Sequence, residues 1–180
     1  MYKALTRYTI ATISLFTTAC STVSVTTDHD PSAPFAHYKT YTLAPSTEKV
    51  GLSPSSEAAL QDSLRTELLR HGISETGENA DLHVVRHIST KEKTVVHQSG
   101  PGLPYRYGRY RMWVGAPYYY TDVSQYTQGT LILDFVDAKT HKLVFRGVGT
   151  GTVSDPKTNA ERVREAVEEI VQNFPKGAKQ

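Results

Sequence analysis

Cys20 is the only cysteine in the 180-residue chain, and its neighbours define a chemistry performed on the chain itself. Lys3 and Arg7 give a basic start, residues 8–16 a short apolar stretch, and Thr17-Thr18-Ala19 a set of small residues before the cysteine. These are the parts of an export signal with a cut at its end. A cysteine directly after the small residues adds a lipidation site. The spacing predicts that the Cys20 thiol is alkylated by a diacylglycerol, that residues 1–19 are removed, and that the new amine is acylated. Ala19 suits the cut, whereas Thr17 stands where such signals usually carry Leu. An ordinary secretory cut after Ala19 would leave a free thiol instead. An uncleaved anchor needs about 20 largely apolar residues, and this stretch is shorter and rich in threonine. Ser21, where Asp would retain the protein at the inner membrane, permits transfer to the outer membrane. Two or three lipid chains anchor stably where one binds marginally.

The other candidate constellations are weaker. Asp81, His83 and His87 share one face if residues 82–96 form a strand, since even spacing keeps side chains together. At roughly 3.3 Å per residue, His83 and His87 stand about 13 Å apart, too far for one tetrahedral zinc. A wet sheet face is the expected reading, and no metal site is expected. Gly147, Gly149 and Gly151 alternate in a pattern that is neither a phosphate loop nor a dinucleotide fingerprint. A neighbour packed over that face, or a bend, explains them. No serine lies in a Gly-x-Ser-x-Gly elbow. Asp134 and Asp137 fall in a hairpin, and Glu165, Glu168 and Glu169 on the outer face of a terminal helix. Paired hydrolase carboxylates need a cleft. No catalytic residue and no cofactor is expected, and the chain does not read as an enzyme.

Residues 99–128 form a different kind of candidate. Seven of the eleven tyrosines and the single tryptophan fall between 101 and 128. Tyr105, Arg106, Tyr107, Arg109, Tyr110, Arg111 and Trp113 interleave rings and guanidinium groups, and Tyr118, Tyr119 and Tyr120 follow Pro117. Tyr, Trp and Arg are enriched at binding hot spots, and rings with polar tips also suit a membrane interface. The segment is therefore the candidate contact for an envelope protein partner. The alternative is a long connection folded over the domain or lacking fixed structure. Aromatic–Arg interleaving can also bind single-stranded nucleic acid, but export argues against that.

Composition sets the frame for these residues. Loss of Lys3 and Arg7 brings the 20 basic residues level with the 18 acidic ones, and the formal charge falls from +2 to zero. No global basic field remains to draw nucleic acid. About 160 residues suit one domain with one core. With Cys20 consumed by lipid, no internal disulfide can form.

The elements follow from periodicity. Residues 20–27 read as a lipidated N-terminus that is either tether or first strand. Residues 35–43 alternate as a strand, and 46–56 form a loop rich in Ser, Pro and Gly. Leu60, Leu64 and Leu68 predict a helix over 56–71 with Gly72 as its cap. Residues 82–96 read as a strand that loses its apolar pattern at 90–93. Residues 130–153 form a hairpin, with Leu131, Leu133 and Phe135 on one face and a turn at 137–142. Residues 156–173 form a helix capped by Asp155, with Val163, Val167, Ile170, Val171 and Phe174 as its apolar stripe. Two one-sided helices need a sheet face to cover. The expected fold is α+β: an antiparallel or mixed sheet with two helices packed on one face. It forms a single domain over 28–176, with an insertion at 99–128 and a short tail at 177–180.

Phe35-Ala-His-Tyr-Lys-Thr-Tyr41, Ala80-Asp-Leu-His-Val84, Gly129-Thr-Leu-Ile-Leu-Asp-Phe-Val-Asp137 and Leu143-Val-Phe-Arg-Gly147 carry a resemblance. In them the chain resembles bacterial lipoproteins of the domain-of-unknown-function 4136 family. Phe145 stands where that family commonly has Trp. The resemblance implies a signal-bearing lipoprotein with an α+β domain and carries over no catalytic residue. The expected function is a lipid-anchored outer-membrane protein whose domain faces the periplasm as a non-enzymatic interaction module. A carrier or sensor of a small apolar or glycan ligand is the alternative. A hydrolase of envelope polymers would need a cleft joining carboxylates or histidines now distant in sequence.

Overall fold

The computed structural model describes residues 22–45, 51–99 and 120–176. Cys20, Ser21 and the aromatic and Arg residues from Tyr105 to Tyr119 lie outside the described residues. Six strands form one mixed sheet: β1 (Ser24–His29), β2 (Thr40–Leu43), β3 (Ser74–Glu75), β4 (Leu82–Ser99), β5 (Tyr120–Asp137) and β6 (Leu143–Thr152). Their order is β1-β6-β5-β4-β2-β3. β2 runs parallel to β3 and β4, and the other pairings are antiparallel. Helices α1 (Pro54–Arg70) and α2 (Pro156–Gln172) cover one face. The expected α+β architecture is thus the observed one, and the sheet is mixed.

Both helices form where their caps permit. The Ser53 side chain accepts from the Ser56 amide, and Pro54 takes the first helical position, where no amide is needed. Leu60, Leu64 and Leu68 are wholly buried on one face. The helix ends when Gly72 turns to φ +76°. The Ile73 amide then donates to Leu68 O and the Gly72 amide to Leu69 O, both at 2.9 Å, which satisfies the last carbonyls. In α2 the Asp155 carboxylate accepts from the Lys157 and Thr158 amides. The Thr158 hydroxyl and these amides pull its pKa down to about 2. Val167, Ile170 and Val171 are fully buried beneath it.

The core is closed by rings at one end of the sandwich. Phe174, just beyond α2, lies 5.1–5.3 Å from the rings of Phe35, Phe135 and Phe145. This packing explains the departure from the expected strand over 35–43. Phe35–His37 makes one turn of 3-10 helix that points the Phe35 ring into the cluster, and extended structure begins only at Thr40. Asp137 shapes the β5–β6 turn by accepting from the Lys139 and Thr140 amides, each at 2.8 Å. Its other oxygen accepts from the buried Tyr38 hydroxyl at 2.9 Å.

The glycine stripe is a helix seat. A Cβ at Gly147 would lie 2.2 Å from Ile170 Cγ2, and one at Gly149 would lie 2.8 Å from Ala166 Cβ. Only strands without side chains let α2 approach this closely.

β4 and β5 run further than periodicity suggests. They pair continuously from Leu82↔Asp137 to Ser99↔Tyr120, whereas β6 leaves β5 after Gln128↔Thr152. Beyond that point the two strands form a free ribbon about 27 Å long, at roughly 3.4 Å per residue. The irregular segment expected over 99–128 is therefore shorter, since residues 120–128 belong to β5 and Ser99 to β4. The apolar pattern fails at 90–93 because the strand leaves the helix layer there and has no core left to face.

Candidate functional site

The described chain starts at a fixed point. The Thr22 amide donates to Glu165 Oε1 at 2.9 Å and its hydroxyl to Oε2 at 2.7 Å. Glu165 of α2, which sequence places on an outer helix face, thus holds Thr22 just ahead of β1. Val23 is buried, and β1 begins at Ser24 opposite Thr150. Of the two readings open for residues 20–27, the chain from Ser24 is strand. One residue, Ser21, separates Cys20 from Thr22, so the two lie at most about 7 Å apart.

This end of the sandwich gathers several elements. β6 finishes there at Thr152, and α2 starts just after it. α1 starts beside α2, with the Ser55 hydroxyl 3.5 Å from Pro156 O. The free ribbon leaves the body at the same end. At its far tip β4 ends at Ser99 and β5 begins at Tyr120.

Between the two helix N-termini and the sheet lies a cleft of about 190 Å³. Gly129, Gly149 and Gly151 floor it, Leu52 and Val163 wall it, and Val23 borders it. Its surface is mostly apolar, and its lining includes no carboxylate and no histidine. Two polar side chains of the lining bond to the chain's own backbone. Asn159 accepts from the Ser154 amide at 2.7 Å and donates to Ser154 O at 2.8 Å, and Arg162 donates to Thr152 O. Such a site can bury an alkyl group.

The uncovered sheet face carries a charged row. Arg146 grips Asp134 with two bonds of 2.6 Å, and His87 Nε2 lies 3.5 Å from the same carboxylate. Asp134 holds the guanidinium pKa above its ordinary value. Asp28 stands across from Arg146 on β1. His83 falls on this face with His87, as strand spacing requires, but Asp81 does not join them. It accepts from the Lys39 and Thr40 amides at 2.9 and 3.1 Å, and these bonds, that from Lys39 foremost, lower its pKa. Among the described residues no group of three His, Cys, Asp or Glu side chains could hold a metal. None of the described helices is long and apolar enough to cross a membrane.

Two features escape sequence reading. Arg86 points inward from β4 and pairs with Glu57 of α1, although its neighbours Val84 and Ile88 read as plain core. The cleft escapes it too. Its signal was the glycine alternation, of which Gly147 and Gly149 admit α2 while Gly151 leaves space.

The fold defines an open-sheet α+β domain. The chain matches the family described as "Domain of unknown function (DUF4136)" over residues 25–176. It belongs to that family. Among solved structures it is similar to a PDZ domain protein from Parabacteroides distasonis, with a TM-score of 0.56 and 12% identity over 88% of this chain. It spans 36% of that longer chain. A DUF4136 family protein from Bacteroides thetaiotaomicron matches with a TM-score of 0.48 and 16% identity, over 82% of this chain and 95% of that one. A minor lipoprotein from Acinetobacter baumannii matches with a TM-score of 0.41 and 10% identity, over 76% and 90%. No curated protein matches the chain.

Proposed function

We propose that this protein is a lipid-anchored protein of the cell envelope, held at the outer membrane through Cys20 with its domain facing the periplasm, and that it works by binding. The observation that supports this most is the bond pair between Thr22 and Glu165. It starts the rigid domain two residues after the lipidation motif, so the anchor seats the domain on the membrane surface without a spacer. The ribbon of β4 and β5 would then present residues 100–119, with their Tyr, Trp and Arg side chains, as the contact for an envelope protein partner. Replacing Cys20 by Ala tests the anchor. The variant should lose lipid label and leave the membrane fraction, and retention at the membrane alongside an unlipidated wild type would defeat the reading. Replacing Tyr105, Tyr107, Tyr110 and Trp113 by Ser tests the contact, which is wrong if every co-purifying partner stays bound.

The cleft favours a second reading, a carrier or sensor of a small apolar ligand. A volume of about 190 Å³ exceeds the roughly 150 Å³ apolar cavity that holds benzene. It falls short of the roughly 300–1,000 Å³ of ordinary ligand pockets. It suits part of an alkyl chain better than a glycan.

A further inference from the structure

We propose that the cleft at the anchored end seats one acyl chain of the lipid carried by Cys20. The inference rests on the lipid-anchor reading and adds a site and an occupant to it.

Chemistry selects the occupant class. The cleft is mostly apolar, and Arg162, the charged residue of its lining, donates to Thr152 O while its Nε is left without a partner. Its volume admits the end of a single alkyl chain and excludes a ring system of drug size.

The hollow is also not a by-product of helix packing. At Gly147 and Gly149 a side chain would collide with α2, but a Cβ at Gly151 would meet nothing nearer than 3.7 Å. Packing therefore tolerates a side chain at Gly151, and its absence keeps the floor of the cleft open.

Position selects the source. Val23, three residues from Cys20, borders the cleft, and Thr22 is fixed beside it by Glu165. A chain attached at Cys20 reaches the cleft as an intramolecular ligand, whose effective concentration far exceeds that of any free lipid. A lipoprotein acylated on both thiol-linked glycerol and amine carries three chains. Seating one leaves two in the bilayer, enough for stable anchoring.

The test uses the full-length protein in cells fed a palmitate analogue bearing a diazirine. After irradiation, the purified protein is digested and its crosslinks are mapped by mass spectrometry. The proposal requires crosslinks from the Cys20 lipid to peptides containing Leu52, Val153 or Val163. Gly151→Leu, which fills the floor, should abolish them while Cys20 stays labelled. Should that variant fail to fold, Val163→Phe narrows the same cleft from the helix side. Label on Cys20 with no crosslink in the cleft overturns this proposal and leaves the anchor standing. No label on Cys20 overturns both. Purified Cys20→Ala protein is irradiated with phosphatidylethanolamine–phosphatidylglycerol vesicles carrying the same diazirine. Crosslinks in the cleft there would assign it to a bilayer lipid and overturn the intramolecular occupant.

Discussion

Gly147→Ala is the perturbation whose cost the structure states most sharply. The added Cβ would sit 2.2 Å from Ile170 Cγ2, 2.9 Å from Cγ1 and 3.0 Å from Cβ. Carbon atoms pack best at about 3.5–4.0 Å, so the overlap exceeds an ångström. Ile170 is fully buried and cannot swing into solvent. Relief requires α2 to lift from β6, which loosens its whole apolar stripe. Overpacking typically costs about 1–3 kcal/mol, and this overlap belongs at the top of that range. For a domain of this size each kcal/mol lowers the melting temperature by about 2–4 °C, so a drop of roughly 6–12 °C is expected. Thermal unfolding of the mature protein by circular dichroism measures it. Gly151→Ala is the control, because its neighbours stand at 3.7 Å and its effect should stay within about 0.5 kcal/mol. Adding Ile170→Ala to Gly147→Ala should recover part of the loss, with a coupling of about 1 kcal/mol or more. A Gly147→Ala protein as stable as wild type, or a Gly151→Ala protein equally damaged, would refute the account of the glycine stripe.

Three further outcomes follow from named contacts. Val167→Asp should unfold or greatly loosen the domain, since Val167 is fully buried and an unpaired charge there costs several kcal/mol; unchanged thermal stability would mean that α2 is not docked. Glu165→Ala should free the start of the chain with only a small change in global stability, and hydrogen exchange at residues 22–25 should accelerate while the amides of α1 do not. Asp81, Asp137 and Asp155 have pKa values below their ordinary 3.8, each through bonds from neighbouring amides or hydroxyls. A folded-state pKa below the unfolded one gives stability that is complete above about pH 4 and is lost as pH falls through the folded values. Melting temperature should therefore decline as pH falls from about 4 toward 2, and a flat profile there would contradict these bonds.

The parts of the fold legible in sequence are those where one face is buried and the other wet. Leu60, Leu64 and Leu68 announce α1, Val167 and Ile170 announce α2, and Leu131, Leu133 and Phe135 announce β5, because each meets a single core. Gly72 and Asp155 mark helix ends for local reasons that need no tertiary knowledge. The ribbon is illegible because its ladder is made by backbone alone, and neither of its faces has a core to select apolar residues. Phe35 misleads because alternation around it fits a strand, while the ring is claimed by Phe174 across the sandwich. Arg86 takes an inward position only because Glu57, far away in sequence, reaches it. The glycines at 147, 149 and 151 look alike along the chain, and only the path of α2 separates those that admit a helix from the one that leaves a cleft. The proposed anchor rests on the sequence around Cys20, and the fold contributes the bond pair that would make it a short one.

The most direct measurement is the mass of the N-terminal peptide of the protein purified from membranes. The account predicts a peptide that begins at Cys20 and carries a diacylglyceryl group on the thiol and an acyl group on the amine. A peptide that begins at Met1, or at Cys20 with a free thiol, would contradict it.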